Sequence, residues 1–129
     1  MALKAFLVED NRSIRDSLAE ALAELAGVET AGTASTEAAA VAWLRDPANQ
    51  WDIAIIDLVL EPRGGSGLGV LRAMADRKPH QKVVVLTGAA GAEMRRVCEG
   101  LGSDGIFDKS MDTEALLDWC RALANHHSP

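Results

Sequence analysis

Unbroken apolar runs recur along the chain at Ala5-Phe6-Leu7-Val8, Ile53-Ala54-Ile55-Ile56 and Val83-Val84-Val85-Leu86. Short continuous runs of this kind suit strands buried on both faces, as in a parallel sheet covered by helices. Val28 to Ala34 is weaker and is expected to form an edge strand. Gly105-Ile106-Phe107-Asp108 is expected to form a short fifth strand. Between these runs the apolar positions change to helical spacing. Ile14, Leu18, Leu22 and Leu25 mark a first helix, with Asn11 as its N-cap. Ser35 is expected to cap a second helix that runs through Val41 and Leu44 and stops at Asp46-Pro47. Leu68, Leu71 and Met74 mark a third, and Met94, Val97, Cys98 and Leu101 a fourth. Asp112 is expected to cap a fifth, with Leu116, Cys120 and Leu123 inward. Strict alternation of strand and helix predicts a doubly wound α/β fold, a five-stranded parallel sheet with helices on both faces. It is expected to be one domain over residues 1–129, with an ordered core at 3–124 and a frayed tail. His126 and His127 in that tail read as a solvated end.

Composition narrows the function. A chain of 129 residues fits one domain with one core. With 48% hydrophobic and 25% charged residues it is an ordinary globular chain rather than a disordered one. No apolar run approaches the ~20 residues of a membrane span, and the start lacks the pattern of a signal peptide. A cytoplasmic location without membrane insertion is therefore expected. Basic residues number 13 against 19 acidic, a net charge of −6, and the only adjacent basic pairs are Arg77-Lys78 and Arg95-Arg96. Direct binding to nucleic acid is not expected. Cys98 and Cys120 lack metal-type spacing and read as buried free thiols. Trp43, Trp51 and Trp119 read as packing residues, and His80 lies too near a strand start for a catalytic role.

In a doubly wound sheet, ligands bind beyond the carboxyl ends of the strands. The first strand ends in Glu9-Asp10, the third in Asp57, the fourth in Thr87 and the fifth in Asp108-Lys109. Glu9, Asp10 and Asp57 are thus expected to converge with one hydroxyl and one ammonium. Clustered carboxylates need a cation or raised pKa values. An all-oxygen set suits a hard ion, and Mg²⁺ is the natural choice because it takes one or two carboxylates and shares a phosphate oxygen. Lys109 and Thr87 suit the other phosphate oxygens. Asp57, behind four apolar residues, is the best-placed nucleophile for an acyl phosphate. Polar strand ends are common singly, because chains surface there, but an ordered set of this kind is not.

Val8-Glu9-Asp10-Asn11, Ile56-Asp57-Leu58-Val59-Leu60, Leu86-Thr87-Gly88 and Phe107-Asp108-Lys109-Ser110 together resemble the receiver domain of two-component response regulators. The resemblance spans essentially the whole chain. It implies a flavodoxin-like fold with strand order 2-1-3-4-5, and a phosphoryl group received on Asp57 from a histidine kinase or histidine phosphotransfer protein. It implies Mg²⁺ held by Glu9, Asp10, Asp57 and the backbone carbonyl of Val59. Thr87 matches the switch hydroxyl and Lys109 the phosphate-binding lysine. An unidentified downstream protein is expected at the face formed by helix four, strand five and helix five, where Arg95 and Arg96 lie, on a monomer or weak dimer. With the sequence ending shortly after the fifth helix, the domain is expected to be of the stand-alone, single-domain type, unless the chain is a fragment.

The chain departs from the family pattern in four places. Ile106 stands where the family has a switch aromatic, and Phe107 faces the other side of the strand. Ser110 follows the lysine in place of the usual proline, so Lys109 is expected to depend more on the loop after it. Glu61-Pro62-Arg63-Gly64-Gly65-Ser66-Gly67 looks longer than the usual loop and reads as a mobile connection, with partner contact through Arg63 as the alternative. Glu9 replaces an aspartate that the longer side chain still serves. Ala89 and Val59 flank the site and are expected to tune hydrolysis. The leading expectation is a phosphorylation-dependent switch or phosphoryl relay that is not a metabolic enzyme. A phosphorylation-independent adapter is the alternative. A phosphohydrolase is disfavoured, because Val59 stands where such enzymes carry a second carboxylate and no cap domain is inserted.

Overall fold

The computed structural model describes residues 2–60, 63–88 and 90–126. Glu61 and Pro62 of the long loop, Ala89, and the tail residues His127 to Pro129 lie outside the described residues. The strands are β1 (Leu3–Val8), β2 (Val28–Ala34), β3 (Ile53–Ile56), β4 (Lys82–Thr87) and β5 (Gly105–Asp108). The helices are α1 (Arg12–Ala21), α2 (Glu37–Arg45), α3 (Gly67–Ala73), α4 (Ala92–Gly100) and α5 (Thr113–Asn125). All neighbouring strands are parallel, in the order β2-β1-β3-β4-β5. The expected doubly wound, flavodoxin-like fold is the observed one.

Side-chain alternation along the strands builds two cores, one on each face of the sheet. Phe6, Val8, Ala54, Ile56, Val83 and Val85 meet Ala40 and Leu44 of α2, Val70 and Leu71 of α3, and Cys98 of α4. Ala5, Leu7, Ile53, Ile55, Val84 and Leu86 meet Leu18 of α1 and Leu116, Leu117 and Cys120 of α5. Ile106 belongs to the first face and Phe107 to the second, as strand alternation requires. The three tryptophans pack. Trp43 stacks on Phe6 at 4.3 Å, Trp51 donates its indole N–H to the Leu44 carbonyl at 3.3 Å, and Trp119 meets Phe107 edge-on at 6.4 Å.

Several local expectations are corrected. α1 does not continue as one regular helix through Leu25. A π-helical segment, Leu22–Ala26, follows it and closes on Gly27 in the left-handed conformation, φ 68°. Its wider turn changes the phase, so Leu22 and Ala26 are buried while Leu25 is exposed. Ile14, at the open end of α1, is also exposed, as is Val97 on α4. Thr36 rather than Ser35 caps α2, its hydroxyl accepting the Ala39 amide at 3.1 Å. Asp112 occupies the cap position of α5, but its carboxylate accepts the Asp108 amide instead of capping the helix. β2 carries a bulge, since Ala5 pairs with Thr30 and Phe6 with Gly32. Asn11 caps α1 as expected, accepting the Ile14 amide at 3.0 Å.

Candidate phosphoryl-acceptor site

The carboxyl ends of β1, β3, β4 and β5 lie side by side, and backbone bonds carry the ladder past them. Glu9 donates its amide to the Ala34 carbonyl at 3.0 Å, Asp57 to Val8 at 2.9 Å, and Lys109 to Thr87 at 3.0 Å. Each residue is thus fixed at its backbone by the neighbouring strand before its side chain contributes. Asn11 then turns the chain into α1, with its amide on Glu9 Oε2 at 3.1 Å. Arg15, one helical turn on, donates to the Glu9 carbonyl at 3.0 Å.

Glu9, Asp10 and Asp57 each bring a carboxylate oxygen within 4.8 Å of the others. Glu9 and Asp57 are buried and Asp10 is half-buried. Lys109 reaches in from the end of β5. Its ammonium lies 2.6 Å from Glu9 Oε1 and 2.8 Å from Asp57 Oδ2. Burial pushes the Glu9 carboxyl above its ordinary value, and the opposing pull of Lys109 does not cancel it. For Lys109, burial works toward a lower value, but the bonds to Asp57 and Glu9 outweigh it and the ammonium is held above its ordinary value. Three carboxylates thus gather at one place, and two of them, Glu9 and Asp57, share the Lys109 ammonium. Hard oxygen donors in such a cluster fit a divalent cation of the Mg²⁺ type.

Thr87 is buried at the end of β4. The Val59 amide approaches Asp57 Oδ1 at 3.4 Å, and the exposed residue itself pairs with Ser66 in an isolated antiparallel bridge. Asp108 turns away from the crevice. Its Oδ1 accepts the Ser110 hydroxyl at 2.6 Å, the Ser110 amide at 2.8 Å and the Met111 amide at 3.2 Å. The Ser110 bonds hold the Asp108 carboxyl below its ordinary value. This turn positions Lys109 without a proline after it. All six expected side chains or backbones therefore stand at the carboxyl ends of the strands, and Lys109 joins Glu9 to Asp57.

Two supports were not evident in the sequence. Gly67 opens α3 against the back of Asp57. A Cβ there would collide with the Asp57 carbonyl and lie 2.7 Å from Leu58 Cα. Glu37 accepts the Ser66 amide at 2.8 Å and donates its own amide to the Gly64 carbonyl at 2.6 Å. Within the described part of the long loop, Gly64 and Ser66 are therefore tied to α2. Glycine at a strand-to-helix junction was the only signal for the first. Nothing in the spacing of Glu37 announced the second.

Residues 5–121 match the model of the response regulator receiver domain. The photosynthetic apparatus regulatory protein RegA of Cereibacter sphaeroides is 31% identical over 115 residues, covering 86% of this chain and 59% of that protein. The nitrate/nitrite response regulator protein NarP of Escherichia coli is 30% identical over 121 residues, covering 94% of this chain and 54% of that protein. The chain thus spans less than two thirds of these curated relatives. The receiver domain of the Francisella response regulator 1452 superposes with a TM-score of 0.80 at 19% identity, covering 95% of this chain and 97% of that one. The phosphorylated cyanobacterial phytochrome response regulator RcpA gives 0.75 at 25% identity, covering 95% and 91%.

Proposed function

The chain belongs to the response regulator receiver domain family, and from that premise we propose that it is a phosphorylation-dependent switch or phosphoryl relay whose acceptor is Asp57. The observation that carries this is the placement of Lys109, 2.8 Å from Asp57 Oδ2, beside a cluster of three carboxylates. A phosphohistidine on a histidine kinase or phosphotransfer protein is the donor. An Asp57 carboxylate oxygen attacks phosphorus, the P–N bond breaks, and an acyl phosphate forms while the imidazole leaves with a proton. Lys109 pairs with the added phosphate oxygens, and Thr87 offers them its hydroxyl. Glu9, Asp10, Asp57 and the Val59 carbonyl are the residues that would hold Mg²⁺. When bound, the ion neutralises carboxylate and phosphate charge that otherwise repel.

The downstream partner engages the α4–β5–α5 face, and the domain acts as a monomer or weak dimer in the cytoplasm. Among the described residues no helix is long and apolar enough to cross a membrane. Intact-mass spectrometry after incubation with a small phosphodonor tests the proposal. One phosphoryl group is expected on the unsubstituted protein with Mg²⁺, and none on Asp57→Asn. Equal uptake by Asp57→Asn would move the acceptor elsewhere.

A further inference from the structure

Arg95 stands in the first turn of α4 and spends its guanidinium on three separate segments. Nε donates to the Ala90 carbonyl at 3.1 Å, one terminal nitrogen to the Ile106 carbonyl at 3.1 Å, and the other reaches Asp112 Oδ2 at 3.4 Å. The same Asp112 oxygen accepts the Asp108 amide at 3.0 Å, and the Asp112 amide returns to the Asp108 carbonyl at 2.8 Å. Ala90 lies on the chain that leaves Thr87. Asp108 immediately precedes Lys109. One side chain therefore bridges the two segments that hold the site's hydroxyl and its ammonium. A guanidinium is planar and its donors are fixed in a fork, so three acceptors on three segments are satisfied together only in one arrangement of those segments. The bridge is also a poor static stabiliser. Arg95 and Asp112 side chains are 42% and 35% exposed, and an ion pair of that kind contributes little.

The geometry points to Arg95 as the positioning residue that couples Ala90, on the chain beyond Thr87, and the Lys109 turn to the placement of α4. This inference rests on the proposed function, in which a phosphoryl group on Asp57 engages Thr87 and Lys109. A shift of either segment lengthens a bond to Arg95. Because Arg95 is anchored on α4, the helix is either drawn along or released. The device uses hydrogen bonds at a place where Ile106 supplies no aromatic ring.

Hydrogen exchange on α4 tests it, in the unsubstituted protein, Arg95→Lys and Asp112→Asn. Each is measured with and without phosphodonor and Mg²⁺, and uptake on Asp57 is followed by intact mass. Lys keeps the charge but not the fork. Asn keeps an acceptor for the Asp108 amide but not the ion pair. Uptake is expected to be unchanged in both variants. The phosphorylation-dependent change in α4 exchange is expected to shrink by about fivefold or more in Arg95→Lys, and by less in Asp112→Asn. A purely structural role would move both states of a variant alike and leave that difference intact. Full uptake with equal differences in all three proteins overturns this inference alone. Absence of uptake by the unsubstituted protein overturns the proposed function and this inference with it.

Discussion

Around Asp57, burial and charge act against each other, and Lys109 is the residue that balances them. Glu9 and Asp57 are nearly closed off from water, and each takes a bond from the same ammonium. Removing two of the three carboxylates should weaken any divalent cation far more than it weakens the fold. The Glu9→Gln, Asp10→Asn double variant is expected to bind Mg²⁺ more than about tenfold more weakly. Calorimetric titration checks this, and wild-type affinity would remove both residues from the ion site. Asp108 supports a second expectation. Its carboxyl is held below the ordinary 3.8 by the Ser110 bonds. The turn it caps is therefore fully stabilised above that value and loosens as pH falls through the lowered one. Protection of the Ser110 and Met111 amides, taken relative to their intrinsic exchange at each pH, should fall there, and Asp108→Asn should remove that fall. The placement of Glu9, Asp10, Asp57, Thr87 and Lys109 at strand ends was legible because those ends follow from apolar runs, whereas Val59 entered only through the family resemblance. The partners of Arg95 were not, because a guanidinium's reach across three segments depends on its rotamer and leaves no periodic trace.

At the scale of elements, the buried strands were the most legible part, since β3 and β5 begin and end where their residues change character. Helix ends were less so. Ser35 and Thr36 are both good caps, and only the backbone decides between them. The phase of α1 failed at Leu25 because a single wide turn shifts every later residue. α3 shows what spacing misses. Its first residue, Gly67, packs directly on the backbone of Asp57 and Leu58. A methyl there meets main chain rather than a movable side chain, so β3 and α3 must separate. Gly67→Ala is expected to lose about 1–3 kcal/mol of stability by such overpacking and to slow phosphoryl uptake by displacing Asp57. Denaturant unfolding and initial uptake rates measure the two effects. Unchanged stability would show that the junction yields freely.

The whole molecule is a sheet with two separate cores, and the cysteines report on them independently. Cys98 sits on the α2–α3–α4 face and Cys120 on the α1–α5 face, with the sheet between them. Burial raises both thiols, Cys120 to about 12. Neither is expected to react with a thiol reagent at pH 8 while the fold is intact, and both should react on unfolding. Rapid modification of one alone in the native protein would identify a face that opens by itself. The two-faced architecture was legible from the alternation of apolar runs and helical stripes. The bulge in β2 was not, because it shows only in the pairing with β1, beside Gly32, where a Cβ would crowd the Trp43 ring and Phe6.

The edge-on meeting of Trp119 with Phe107 has an optical consequence. Tryptophan is the dominant emitter in a chain without tyrosine, and this indole lies on α5 against the strand that ends in Asp108. Trp43 and Trp51 are on the other face of the sheet, in the core that contains Phe6 and Leu44. With those two replaced by phenylalanine, the remaining emission becomes a built-in gauge of the spacing between β5 and α5. The arrival of a ligand or partner can then be timed in solution without any label.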